Sequence, residues 1–148
     1  MNRTDQNAET PVIYAYTRKQ ALADGEQVDV TAWAKEEGFR YPVYMTRSAW
    51  AATIEAGGRW IDRADGEGQD LVLPAGQHAR GRAHDLLWML LCAIRSKAAG
   101  FCGRLAFRML VRAHERQALT LVRLACACGP VDIDDPAPAL TVMLPDED

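Results

Sequence analysis

Two hydrophobic patterns dominate the chain, a helical one in its middle and an alternating one near its end. In residues 83–97 the apolar side chains recur at helical spacing and share one face: Leu86, Leu87, Leu90, Leu91 and Ile94. Asp85 lies near the start of this stretch and Arg95 near its end, as the helix dipole favours. The pattern predicts one central helix that packs into the core.

From residue 103 onward, apolar and polar residues alternate. One apolar face is made by Leu105, Phe107, Met109 and Val111, which predicts a strand, and residues 114–117 are predicted to connect it to the next. Further strands are predicted over residues 119–126 and 139–144. The intervening segment 129–138 is rich in Pro and Asp and is predicted to be a loop. These elements predict an antiparallel meander packed on the helix.

The N-terminal half shows one device used three times, a threonine before a short helix that glycine ends. Thr17, Thr31 and Thr46 are predicted to be N-caps of helices over 18–23, 32–37 and 47–55, and Gln20 completes a capping box with Thr17. Short extended pieces are predicted at 12–16, 28–30 and 43–45. Residues 57–80 are glycine-rich and lack a sustained period, which predicts a long loop with short ordered pieces at 60–62 and 71–73.

Together these elements predict an α+β fold, with several short N-terminal helices and one central helix on a small antiparallel meander. The chain has 148 residues, of which 49% are hydrophobic and 25% charged, as in an ordinary globular protein. We expect a flexible N-terminus over 1–11 and a single domain over 12–148. No apolar leader opens the chain and its longest apolar run has nine residues, so a cytoplasmic protein is predicted.

The four cysteines do not have the spacing of a zinc site. They are Cys92, Cys102, Cys126 and Cys128, and the three histidines supply no paired ligands. We expect buried, reduced thiols, no metal and no cofactor.

Charge is segregated along the chain. Residues 78–123 contain nine of the 17 Lys and Arg but only two of the 20 acids. A basic face is predicted from Arg104, Arg108, Arg112, Arg116 and Arg123. It would bind an anionic partner, either a nucleic acid or an acidic protein surface. Phe107 falls on the core side, which counts against base stacking. Alternatively, this face is solvated and pairs internally with acids at 132–135 or 146–148.

An acidic cluster in the N-terminal unit is the alternative partner-binding surface. Its members are Asp24, Glu26, Asp29, Glu36 and Glu37. Rows of carboxylates resemble nucleic acid in charge and are also common on solvated faces.

The chain shows no motif of a conventional hydrolase or nucleotide-binding protein. His84 and Asp85 are adjacent on the predicted helix and therefore point about 100° apart, which excludes a catalytic pair. These features predict a non-enzymatic protein. A weaker enzyme alternative comes from Tyr14, Tyr16 and Arg18, which are similar to the start of some ADP-ribosyltransferase-like folds, although a late catalytic Glu is missing.

Four stretches resemble a family of small uncharacterised bacterial proteins carried on plasmids and other mobile elements. They are IYAYTRKQALADGEQVDVT, AKEEGFRYPVYMTRSAW, HDLLWMLLCAIR and LTVMLPDED. The resemblance carries over no catalytic residues. It implies an accessory protein that binds and blocks a host protein or nucleoprotein complex, in the manner of an antidefence, anti-CRISPR-like inhibitor. A nucleic-acid-binding protein that uses the arginine face is the alternative.

Overall fold

The computed structural model describes residues 16–74, 76–96 and 103–147. The described helices are α1 (Arg18–Ala23), α2 (Thr31–Glu36), α3 (Arg47–Thr53) and α4 (Ala79–Arg95). The described strands are β1 (Gln27–Asp29), β2 (Val43–Thr46), β3 (Arg59–Asp62), β4 (Gln69–Val72), β5 (Arg104–Val111), β6 (Thr120–Asp132) and β7 (Asp135–Met143). The fold is α+β, as predicted. None of the described helices has the length and apolarity needed to cross a bilayer.

The main sheet has five strands in the order β1-β2-β7-β6-β5. Strands β5, β6 and β7 form the predicted antiparallel meander. The sheet is mixed, however, because β2 runs parallel to β7 with Val43 opposite Leu140, and β1 then pairs with β2. The N-terminal unit is therefore built into the sheet as two further strands. Strand β5 lies at the opposite edge.

Helix α4 packs across the inner face of this sheet. Strand β5 alternates buried and exposed residues along its whole length, which confirms the predicted alternation. Leu86, Leu87 and Leu90 of α4 are fully buried against this inner face. The predicted helix is confirmed and begins earlier, at Ala79, where the His78 side chain accepts the Gly81 N–H at 3.0 Å.

Two of the three predicted threonine caps are confirmed. Thr17 and Gln20 form a capping box, and the Thr46 hydroxyl accepts the Ala49 N–H. The prediction for Thr31 is wrong, since it is the first residue of α2 and makes no cap. Its hydroxyl instead accepts the Val43 N–H at 3.1 Å and so joins α2 to β2.

Helix α3 ends at Thr53, two residues before the predicted end. Most of the predicted strand 12–16 lies outside the described residues, as does the segment 1–11.

The predicted loop over residues 57–80 is wrong only in part. Its two short ordered pieces are confirmed as β3 and β4, which form an antiparallel hairpin over residues 59–72 with Trp60 opposite Leu71. The loop predicted over residues 129–138 is wrong. In the segment 129–138, β6 and β7 continue their pairing almost to the turn, with Pro130 opposite Pro138. The prolines are accepted because the ladder is irregular between Pro130 and Asp132, and proline is tolerated at bulges and strand ends.

Candidate functional site

The predicted basic face lies on the outer face of the sheet, opposite α4. Arg104 and Arg108 project from β5, because the inward positions between them hold the buried core residues. Arg123 projects from β6 and lies directly opposite Arg108 in the ladder. The structure thus brings three of the five predicted arginines together through strand register.

These three arginines surround an open depression of about 610 Å³. We call it the arginine groove and define it by its outer-face side chains: Arg104, Ala106, Arg108, Arg123, Ala125 and Pro145. Alanines at the two central positions keep the floor low, and Ala106 pairs with Ala125 across the strands. The guanidinium groups therefore rise above an apolar floor, an arrangement suited to carboxylate-bearing side chains.

The arginines of the groove differ in their own hydrogen bonds. Arg104 donates to the Glu147 carbonyl at 2.8 Å and to the Pro145 carbonyl at 2.6 Å, which fixes its side chain along the C-terminal segment. Arg108 and Arg123 form no hydrogen bond or ion pair with any described residue. Like charges directly opposite one another on neighbouring strands are destabilising. The pair therefore remains available to an anion.

The alternative of internal pairing with acidic residues is not what the described residues show. Arg104 contacts the C-terminal segment through main-chain carbonyls and not through a carboxylate. The Asp132 carboxylate accepts the backbone N–H groups of Arg18 and Lys19 at 3.1 and 3.0 Å, at the start of α1. Backbone donors, first that of Ile133 and then that of Lys19, lower the pKa of Asp132.

Arg112 and Arg116 lie apart from the groove, in the turn that connects β5 to β6. Arg112 follows the last residue of β5, and its guanidinium approaches the carbonyls of Glu115 and Gln117 at 3.5 Å. Its own carbonyl accepts from Arg82 at 2.7 Å. The Arg116 N–H donates to the His114 ring at 3.2 Å. The predicted basic face is thus divided into a groove and a turn.

A second depression, which the sequence reading missed, follows the outer edge of β5. It measures about 440 Å³, and its lining places Trp88 and Met89 of α4 beside Leu110, Leu121 and Arg108. We call it the edge groove. A signal was present in the sequence, because Asp85, Trp88, Met89 and Cys92 have the spacing of a second helical face. This second face is masked in the pattern by the more apolar face of the same helix, which forms the core.

The predicted acidic cluster is largely engaged by neighbouring groups. Glu36 and Glu37 form ion pairs with Arg80, and Glu37 also contacts His84 Nδ1 at 2.6 Å.

Asp24 accepts the Tyr16 hydroxyl at 2.7 Å, and this hydrogen bond raises the pKa of Tyr16 to about 12. Asp29 accepts the Thr31 N–H. Glu26 makes no side-chain hydrogen bond to a described residue. Apart from Glu26, the carboxylates of the cluster stabilise local contacts, in contrast to Arg108 and Arg123 of the arginine groove.

The residues considered for chemistry serve structural contacts. His84 contacts Glu37, whereas Asp85 lines the edge groove, so the two side chains point in different directions, as expected.

Arg18, one of the residues of the enzyme alternative, also makes structural contacts. Its guanidinium donates to the Val131 carbonyl at 2.6 Å and lies 4.1 Å from the centroid of the Tyr44 ring. Burial lowers the pKa of Arg18. Tyr14, the remaining residue of the enzyme alternative, lies outside the described part of the chain.

The cysteines differ in exposure. Cys126 is buried, as expected, and burial raises the pKa of its thiol to about 12. The expectation is wrong for Cys92 and Cys128, which are exposed, while Cys102 lies outside the described residues. Within the described part of the chain, no group of His, Cys, Asp and Glu side chains is arranged to hold a metal ion.

Comparison of the chain with protein-family models, with curated proteins and with solved structures finds no significant match in any of the three.

Proposed function

We propose that this protein is a non-enzymatic binding protein whose arginine groove receives an acidic surface of another protein. The observation that carries the proposal is the Arg108–Arg123 pair, two facing cations without a described partner. A carboxylate placed between them relieves their repulsion and gains charge-assisted hydrogen bonds. The same carboxylate contributes far less on a face where each arginine already has a partner.

The lining of the groove supports a protein ligand over a nucleic acid. Surfaces that bind single strands offer aromatic rings on which bases stack, and here the floor consists of Ala106 and Ala125. Phe107, the one aromatic residue of β5, also borders the depression, but it is buried on the inner face. An apolar floor with a basic rim favours an acidic side chain followed by a small apolar contact.

The chemistry of the groove supports binding without catalysis. Its defining side chains are arginine, alanine and proline, so the groove brings neither a nucleophile nor a general base to a ligand. In line with the resemblance described above, the proposed partner is a cytoplasmic host protein or nucleoprotein complex. An antidefence role stays a prediction.

A charge-reversal pair tests the proposal. The variant Arg108→Glu/Arg123→Glu is compared with Arg40→Glu/Arg59→Glu, which changes the net charge equally at two exposed arginines outside the groove. The probes are a fluorescent polyglutamate peptide and a fluorescent single-stranded DNA, followed by anisotropy across a salt series. We expect the peptide to bind the wild type and the control and to lose binding to the groove variant.

Two results would overturn the proposal. Equal peptide binding by the groove variant and the wild type shows that the groove is not the site. DNA binding that falls steeply with salt, together with no peptide binding, supports the nucleic-acid alternative.

A further inference from the structure

Among the described strands, β5 lies at an edge of the sheet, beside both grooves. Its pairing partner is β6, and no described strand lies on its other side. The Gly103 carbonyl accepts the Cys128 N–H at 2.8 Å, so the odd-numbered residues of this segment direct their backbone groups toward β6. Because backbone direction alternates along an antiparallel strand, the N–H and C=O groups of Arg104, Ala106, Arg108 and Leu110 point to this edge.

Apolar side chains accompany this edge. Leu110 is 54% exposed on the outer face, while Trp88 and Met89 of α4 are 50% and 40% exposed below it. They line the edge groove together with Leu121 and Arg108. Large exposed apolar residues that are clustered, unlike scattered ones, mark interaction sites. Arg108 belongs to both grooves, so the edge and the arginine groove form one continuous surface.

We propose that the partner of this surface is an extended segment that adds to β5 as a sixth strand of the sheet. This inference rests on the proposed function and specifies the ligand. An added strand alternates its side chains between the two faces. On the outer face they meet Arg104 and Arg108, which calls for carboxylates, and on the inner face they lie over Trp88 and Met89, which calls for apolar groups. The expected ligand is a strand of alternating acidic and apolar residues.

Charge selects such a ligand over a second copy of this chain. Antiparallel pairing of two β5 strands about a two-fold axis brings the outer-face arginines of one copy beside those of the other. Like charges on facing strands are destabilising, and Arg108 already lies opposite Arg123. An acidic strand reverses the sign of the same interaction.

Three fluorescent peptides test the inference by anisotropy. One alternates Glu and Val, the second contains the same residues as a Glu block and a Val block, and the third is the alternating peptide with N-methyl groups on the backbone amides. We expect the alternating peptide to bind roughly tenfold more tightly than either of the others, because the block peptide loses the alternation of side chains and the methylated one loses strand hydrogen bonds, of which one or two amount to about that factor. Ala106→Pro, which removes an edge-directed N–H, should weaken that binding equally, with circular dichroism to verify folding.

The outcomes separate the two proposals. Suppose that all three peptides bind the wild type equally well and that none of them binds the variant Arg108→Glu/Arg123→Glu. Strand addition is then overturned, while the proposed function of the groove stands. If none binds, the proposed function fails with it. A wild-type dimer in sedimentation velocity that Ala106→Pro dissociates overturns the acidic ligand in favour of self-pairing.

Discussion

Arg82 of α4 donates a hydrogen bond to the backbone carbonyl of Arg112 at 2.7 Å, which ties the central helix to the end of the edge strand. Arg82 is only 4% exposed. Its other acceptors are the carbonyls of Thr53, Ile54 and Ala56 and the side chain of Gln77. The cation is thus held by carbonyl dipoles at the C-terminal end of α3, and burial lowers the pKa of the Arg82 guanidinium.

Replacing Arg82 by methionine should destabilise the fold by about 3 kcal/mol, because several buried carbonyls lose their donor at once. Urea unfolding followed by circular dichroism measures the free energy of unfolding. Arg95→Met, an exposed position in the last turn of the same helix, is the control and should cost less than about 1 kcal/mol. Equal losses of unfolding free energy in the two variants would show that water satisfies these carbonyls in place of the Arg82 guanidinium.

Two glycines with the same positive φ distinguish backbone strain from steric crowding. Gly57 and Gly66 both have φ +74°, but a Cβ on Gly57 would lie 1.7 Å from the Ala113 carbonyl oxygen and one on Gly66 would meet nothing within 4 Å. Gly66→Ala should cost about 1 kcal/mol from the left-handed backbone alone. Gly57→Ala should cost about 1–3 kcal/mol more, since Ala113 must move. Thermal unfolding compares them, and equal melting temperatures would refute the close approach.

Asp132 should make stability depend on acid. Its pKa is lowered in the folded protein by the backbone donors of Ile133, Lys19 and Arg18, so its contribution is present above its unfolded pKa of about 3.8. That contribution is lost as the pH falls through the lower folded pKa. Asp132→Asn should therefore be less stable than the wild type at neutral pH, and the difference should shrink in strong acid.

The free energy of unfolding from urea titrations at a series of pH values gives this difference. Asp134→Asn is the matched control, because it removes one charge from the same turn. A difference for Asp132→Asn that stays constant with pH would show that its carboxylate does not hold α1 to the β6–β7 turn.

Thiol reactivity should follow burial. Iodoacetamide at mildly alkaline pH should modify the exposed Cys92 and Cys128 in the folded protein. Cys126 is fully buried, and burial raises the pKa of its thiol to about 12, so it should react only after denaturation. Site-resolved mass spectrometry distinguishes the three residues. Early modification of Cys126 would mean that β6 opens locally.

Elements that depend on local spacing were predictable. The capping box of Thr17 and Gln20, the core helix around Leu87 and the alternation of β5 each arise from interactions within one turn or one strand. Features that depend on distant partners were not. The parallel pairing of β2 with β7 and the continuation of β6 through Pro130 join segments whose preferences do not reveal one another. The N-cap predicted at Thr31 is wrong because the Thr31 hydroxyl accepts the Val43 N–H of the neighbouring strand.

The amino-acid sequence by itself determined that Arg104 and Arg108 share the polar face of one strand, since a period of two leaves no other arrangement once Leu105 and Phe107 enter the core. Only the tertiary structure decided that Arg123 lies opposite Arg108, that β5 is the edge strand, and that Trp88 borders it. Strand order and register are set by which apolar faces close together across the whole sheet, and local spacing carries no record of that choice.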